Sequence, residues 1–254
     1  LGGIIAMFFD ASYFFTIMII SIIFSLSYIL ISYYNSDKIA LASVRARPAS
    51  RAAHAKLFHA VENMSLASGK PMPKVFVMQS EQINAFASGR NPENAVICVT
   101  TGALQKLDKQ ELEGVIAHEM SHIANYDIRF MTLVAVLIGL ISIAAEIFLR
   151  SLWMSSGEKD RGRAGAILLI IGIIFAIVAP ILARLVSLSI SRKREFTADA
   201  TGVKFTRYPQ GLRDALIKIK HEHVPKEDTK KYPKAVAPLF ISDPFKKKFK
   251  DAFS

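Results

Sequence analysis

The amino-acid sequence predicts an α+β membrane protein, mainly helical, with three transmembrane helices and a small β-sheet set beside one helix that carries two histidines. Three observations predict it. No charged residue falls within residues 11–36, 130–145 or 164–183. Short β-patterned runs separated by turn residues crowd residues 74–100. Leu112, Val115, Ile116, Met120 and Ile123 then recur at helical spacing.

Hydrocarbon about 30 Å thick is spanned by about 20 mainly apolar helical residues. The first and third uncharged runs are long enough outright. The second becomes so when Glu146 lies near the far interface and Phe148, Leu149 and Leu152 continue the helix. A cleaved signal peptide does not describe the first run, which is too long and has neither a basic start nor a small-residue cleavage site. Beyond Asp37, the basic residues Lys38, Arg45, Arg47, Arg51 and Lys56 follow it without another acid until Glu62, and Arg192, Lys193 and Arg194 follow the third run. The positive-inside rule puts these flanks in the cytoplasm, so the protein is multi-pass in the cell membrane with its active site facing the cytoplasm.

Residues 1–36 then form the first transmembrane segment and 37–128 a cytoplasmic catalytic region. Residues 129–191 form a transmembrane hairpin, and 192–254 a second cytoplasmic region with a basic C-terminal part. This topology leaves Leu1 outside on a very short tail, and a start at Leu-Gly-Gly predicts a further segment upstream. The net charge of +11 suits anionic lipid headgroups, and the absence of an aromatic-plus-basic motif excludes a nucleic-acid partner. Cys98 is the single cysteine, so no intrachain disulfide forms.

Residues 43–51, with Pro48, read as an amphipathic link along the membrane face. Residues 52–68 read as a helix ended by Gly69 and Pro71. Its histidines, His54 and His59, are five apart, share no face well and read as surface or packing residues. Residues 74–78, 84–87 and 95–100 are the three expected strands. Asn84, Ala85 and Phe86 form the candidate edge on which an extended substrate pairs, with a plain scaffold strand as an equal alternative. Asp108 followed by Glu111 is a capping-box start for the helix that comes next.

That helix carries His118-Glu119-Met120-Ser121-His122. Positions i and i+4 share a face, so both imidazoles can reach one Zn²⁺ per chain while Glu119 serves as catalytic base. This is a zincin-type active-site helix, and it lacks a third ligand. Glu146 is excluded, because a continuous helix would carry it about 36 Å from His122. Glu195 fits better: an antiparallel hairpin turning near residues 155–163 returns it to the height of His122. Asp199, one turn further on the same face, is placed to hold a ligand histidine by a hydrogen bond. A solvated acid pair at a helix end is the competing reading. His221 and His223 are weaker candidates for a donor to the developing oxyanion.

His118–Asp127, the stretch Ser191-Arg192-Lys193-Arg194-Glu195-Phe196-Thr197-Ala198-Asp199, and Ile83-Asn84-Ala85-Phe86-Ala87 together resemble the HtpX-like integral-membrane zinc metalloproteases, in family order. The resemblance implies His118, His122 and Glu195 as zinc ligands, Glu119 as catalytic glutamate, Asp199 as supporting residue and the Asn84-Ala85 strand as substrate edge. It implies membrane-protein or peptide substrates at the bilayer surface, in protein quality control. A related branch cleaves prenylated C-termini, and a non-catalytic membrane protein with a structural zinc is the rival from another class. Members of the family carry another membrane helix upstream and a His-Pro-Pro segment with a final helix downstream. Against them a chain ending at Phe253-Ser254 reads as truncated, with a register that sets Asp243-Pro244 opposite the His-Pro segment as the alternative.

Overall fold

A computed structural model describes residues 14–135, 181, 192–222 and 239–241. Helix α1 (Phe14–Tyr34) has 21 residues and no charge, and at 1.5 Å per residue it is about 32 Å long. Ile19, Ile20, Ile23, Leu26, Leu30 and Ile31 are exposed along it. Several side chains of α1 lie outside the described residues, and among the described residues no helix is long and apolar enough to cross a membrane. The second uncharged run is described only to residue 135 and the third only at Ile181. The expected hairpin, Glu146 and His223 lie outside the described residues, so three membrane helices stand as an expectation.

Helix α2 (Ser36–Ser43) buries Ala40 and Leu41. The chain then forms strand β1 (Arg47–Pro48), where an amphipathic link was expected. Proline is compatible with an edge strand because an edge leaves N–H groups unpaired, and β1 is such an edge. Helix α3 (Ala55–Ser68) starts three residues later than the pattern predicts and ends, as predicted, at a left-handed Gly69 with φ 64°. The three expected strands appear as β2 (Lys74–Met78), β3 (Ala85–Ser88) and β4 (Val96–Thr100). Asn84 falls just before its strand. The sheet order is β1-β2-β4-β3. The β2–β4 pair is parallel and the other two are antiparallel, with Phe86 opposite Cys98.

The Thr100 hydroxyl accepts the Ala103 N–H and starts helix α4 (Thr101–Lys106). Helix α5 (Lys109–Ala124) opens with the predicted capping box: Asp108 accepts from Glu111 N–H at 2.9 Å, and Glu111 from Asp108 N–H at 2.8 Å. Residues 127–135 are helical, followed after the gap by α6 (Arg192–Thr206) and α7 (Pro209–His221). The sheet divides two apolar clusters. Ile97 and Val99 face Val61, Ile116 and Met120 on one side, while Val96 and Cys98 face Leu41, Phe86 and Met131 on the other. Burial raises the Cys98 thiol pKa far above its usual value, which keeps it protonated and inert.

Helix α5 is surrounded by α3, α6, α7 and β3. Its crossing with α7 is tight, since a Cβ at Gly114 would stand 2.4 Å from the Leu212 backbone nitrogen. Gly114→Ala must therefore push two helices apart. The expected cost is about 1–3 kcal/mol, as for other overpacked cores. A lowered unfolding midpoint in detergent checks it, and an unchanged midpoint would mean that this crossing yields freely.

Candidate metal centre

Helical periodicity puts His118 and His122 one turn apart on α5, and both are buried, 5% and 3% exposed. Their Nε2 atoms are 3.2 Å apart and the rings meet edge to face. Helix α6 approaches so closely that a Cβ on Gly202 would touch the Ala117 and His118 backbone at 3.2–3.4 Å. Residues 195, 199 and 202 share one face of α6, so this contact directs both acids at α5. Glu195 Oε2 lies 3.5 Å from His118 Nε2 and 3.8 Å from His122 Nε2.

The opposite ring nitrogens are held as well. His118 Nδ1 is 2.9 Å from Asp199 Oδ1, and His122 Nδ1 is 3.1 Å from Asp127 Oδ2. An imidazole held through Nδ1 leaves Nε2 free to bind a metal once it gives up its proton, and both Nε2 atoms here face Glu195. Bonds of about 2.0–2.1 Å to one tetrahedral ion would separate its donors by about 3.3 Å. The observed 3.2, 3.5 and 3.8 Å surround that value, and the three donor atoms lie within 4.8 Å of one another. His118, His122 and Glu195 can together hold a metal ion.

The charges agree. Burial alone lowers the His118 pKa, but the bonds to Asp199 and Glu195 and the charge of Glu119 outweigh it and raise it to about 10. Burial works against ionisation of Glu195 too, yet the two histidines hold its pKa below the ordinary carboxylate value. A pocket that so favours positive charge fits a divalent cation. Glu119 is 2% exposed. Burial raises its pKa against the pull of His118 and His122 and a backbone hydrogen bond from Ala87.

In the sequence Asp127 is only the last residue of the His118–Asp127 stretch, with no role of its own. It reaches His122 because Tyr126 turns the helix end through a left-handed φ of 62°, a conformation that costs a non-glycine residue about 1–2 kcal/mol. The Tyr126 ring lies under Lys70 at 5.2 Å and Arg129 at 4.5 Å, contacts that offset part of that cost. An acid just past a helix that ends near a ligand was the signal available. Asp127→Ala is expected to weaken metal affinity about 10–100-fold while the chain stays folded. Competition with a chelator measures it; an unchanged affinity would leave Asp127 without a positioning role.

The edge residues lie beside this centre. Asn84 is buried, and its Oδ1 accepts the Ala85 N–H at 3.0 Å. Ala85 and Phe86 are fully buried in β3, whose Ala87 backbone reaches Glu119. His54 and His59 do not join the centre: His54 accepts from Ser50 N–H, and His59 stands 3.7 Å from Glu62. His221 is exposed at the end of α7 and joins no hydrogen bond or ion pair of the centre.

A model of peptidase family M48 matches residues 51–248. A relative named "Protease HtpX homolog" from Thermoanaerobacter pseudethanolicus is 49% identical over 227 residues, covering 88% of this chain and 75% of its own. Another of the same name, from Caldanaerobacter subterraneus subsp. tengcongensis, is 49% identical over 229 residues, covering 89% and 76%. One from Streptococcus gordonii is 39% identical over 240 residues, covering 91% and 78%. The crystal structure of S. mikatae Ste24p is similar with a TM-score of 0.50 and 20% identity, over 92% of this chain and 59% of that one. At that identity the likeness is one of fold.

Proposed function

The chain belongs to peptidase family M48 and is a metalloprotease, and from that premise we propose that it is a zinc endopeptidase of membrane or membrane-associated proteins, working at the cytoplasmic surface in protein quality control. The observation that carries this reading is the convergence of His118, His122 and Glu195 beside the buried carboxylate of Glu119. Two imidazole nitrogens and one carboxylate are a zinc donor set that leaves a coordination position open. Zinc, when bound, supplies Lewis-acid polarisation of the scissile carbonyl and draws the pKa of water toward neutrality.

The remaining work falls to the side chains. Asp199 and Asp127 hold the Nδ1 protons of His118 and His122, so both rings keep their orientation. Glu119 takes a proton from the attacking water on a carboxylate oxygen and passes it to the leaving amine. Its raised pKa brings it nearer the working pH, where one group can both accept and donate. The β3 edge binds backbone rather than a particular side-chain series, which supports unfolded segments as substrates.

The exposed apolar residues of α1 and the basic residues that follow support a site close to the bilayer. Reconstituted in vesicles, the protein should cleave a membrane protein bearing an unfolded cytoplasmic loop, lose that cleavage to a chelator and regain it with zinc. Release of the protein from vesicles by alkaline carbonate, or cleavage indifferent to the chelator, would overturn the reading.

A further inference from the structure

Strand β3 is the last strand of the sheet among the described residues, and such an edge invites pairing with another extended chain. Its outer side is already engaged. The Ala85 N–H donates to Asn84 Oδ1 at 3.0 Å, and Ala85 O accepts the N–H of Ile241 at 3.1 Å. Phe240 stands opposite Phe86 in an antiparallel bridge, with the two rings 5.1 Å apart and 73° inclined. Leu239 and Phe240 are 2% and 8% exposed, sunk into the cluster of Leu41, Met78 and Phe86. One residue along the same strand, the Ala87 backbone hydrogen-bonds Glu119. A segment distant in sequence thus lies, extended and antiparallel, on the strand that borders the reactive carboxylate.

We propose that Leu239–Phe240–Ile241 is an internal occupant of the peptide-binding edge: it takes the place of substrate in the resting protein, and an incoming peptide displaces it and sets a large apolar side chain against Phe86. The proposal rests on reading the Asn84–Phe86 edge as the substrate site. The physical argument is one of shared groups. An extended peptide pairing antiparallel with β3 needs the acceptor Ala85 O, which Ile241 now uses, and the space over Phe86, which the Phe240 ring fills. Both cannot be present at once. An internal competitor reduces apparent affinity by the fraction of molecules in which the edge is open. One backbone hydrogen bond is worth about tenfold in such an equilibrium.

The test uses the full chain in detergent, in a Glu119→Gln background so that bound peptide is not cleaved, and a fluorescent extended peptide alternating phenylalanine with polar residues. Ile241→Pro removes the N–H that reaches Ala85, whereas Ile241→Ala keeps it. Peptide should bind about tenfold more tightly to the proline variant than to the alanine variant. Amide hydrogen exchange on the chain with Ile241 intact supplies a second measurement, since protection at Ile241 should fall when peptide binds. Equal affinities for the two variants, or protection at Ile241 that peptide leaves untouched, would make the segment a permanent strand and overturn the proposal while the protease reading survives. Peptide that binds none of these chains would remove the substrate-edge reading and the proposal with it.

Discussion

Replacing Glu119 by glutamine is expected to lower peptide cleavage about 10²–10⁴-fold, the usual worth of a positioned general base, while metal content stays at one ion per chain. Shape is preserved, because glutamine matches glutamate in size and the site is closed, with Glu119 only 2% exposed. Metal is retained because the three converging donors are His118, His122 and Glu195. Only the ability to accept and return a proton is removed. Metal analysis beside a cleavage assay on the same preparation reads both quantities. A chain that still cleaves at the original rate would exclude Glu119 as base, and one that loses its metal would make Glu119 a ligand. The rival reading, a structural zinc in a non-catalytic protein, expects no functional change from this substitution.

Glu195→Ala is expected to lose metal affinity by more than the 10–100-fold assigned to a residue that merely orients a ligand, and to lose cleavage in parallel. The carboxylate stands 3.5 and 3.8 Å from the two histidine nitrogens, and among the described residues no other acid fills that corner of the triangle, since Asp199 and Asp127 are bound to the far sides of the rings. Glu195→Gln separates charge from shape: it keeps a donor oxygen but removes the negative charge, so its loss should be smaller. Titration with a competing chelator gives both values. Metal content unchanged in the alanine variant would remove Glu195 from the donor set.

Much of the centre is legible in the sequence. Two histidines at i and i+4 share a face because the helix repeats every 3.6 residues, and the Asp108–Glu111 box that starts the helix is also a local pattern. A membrane hairpin turning near residues 155–163 sets Glu195 at the height of His122. The approach of Glu195 to His118 and His122 agrees with that expectation, although the hairpin itself lies outside the described residues. The sheet was less legible. Residues 47–48 looked like a link because a two-residue strand has no periodicity to detect, and only pairing with Phe76 and Val77 makes it one.

What the sequence determined by itself is therefore the motif helix α5, its cap, the Gly69 terminus of α3 and the pairing of His118 with His122, each set by residues a few positions apart. Tertiary structure alone decided that Asp127 holds His122, that Arg47–Pro48 joins the sheet and that Phe240 and Ile241 close the β3 edge. The reason is physical. Asp127 depends on a left-handed turn at Tyr126 that propensity disfavours, and the edge depends on backbone groups meeting across more than a hundred residues, for which side-chain pattern carries no record.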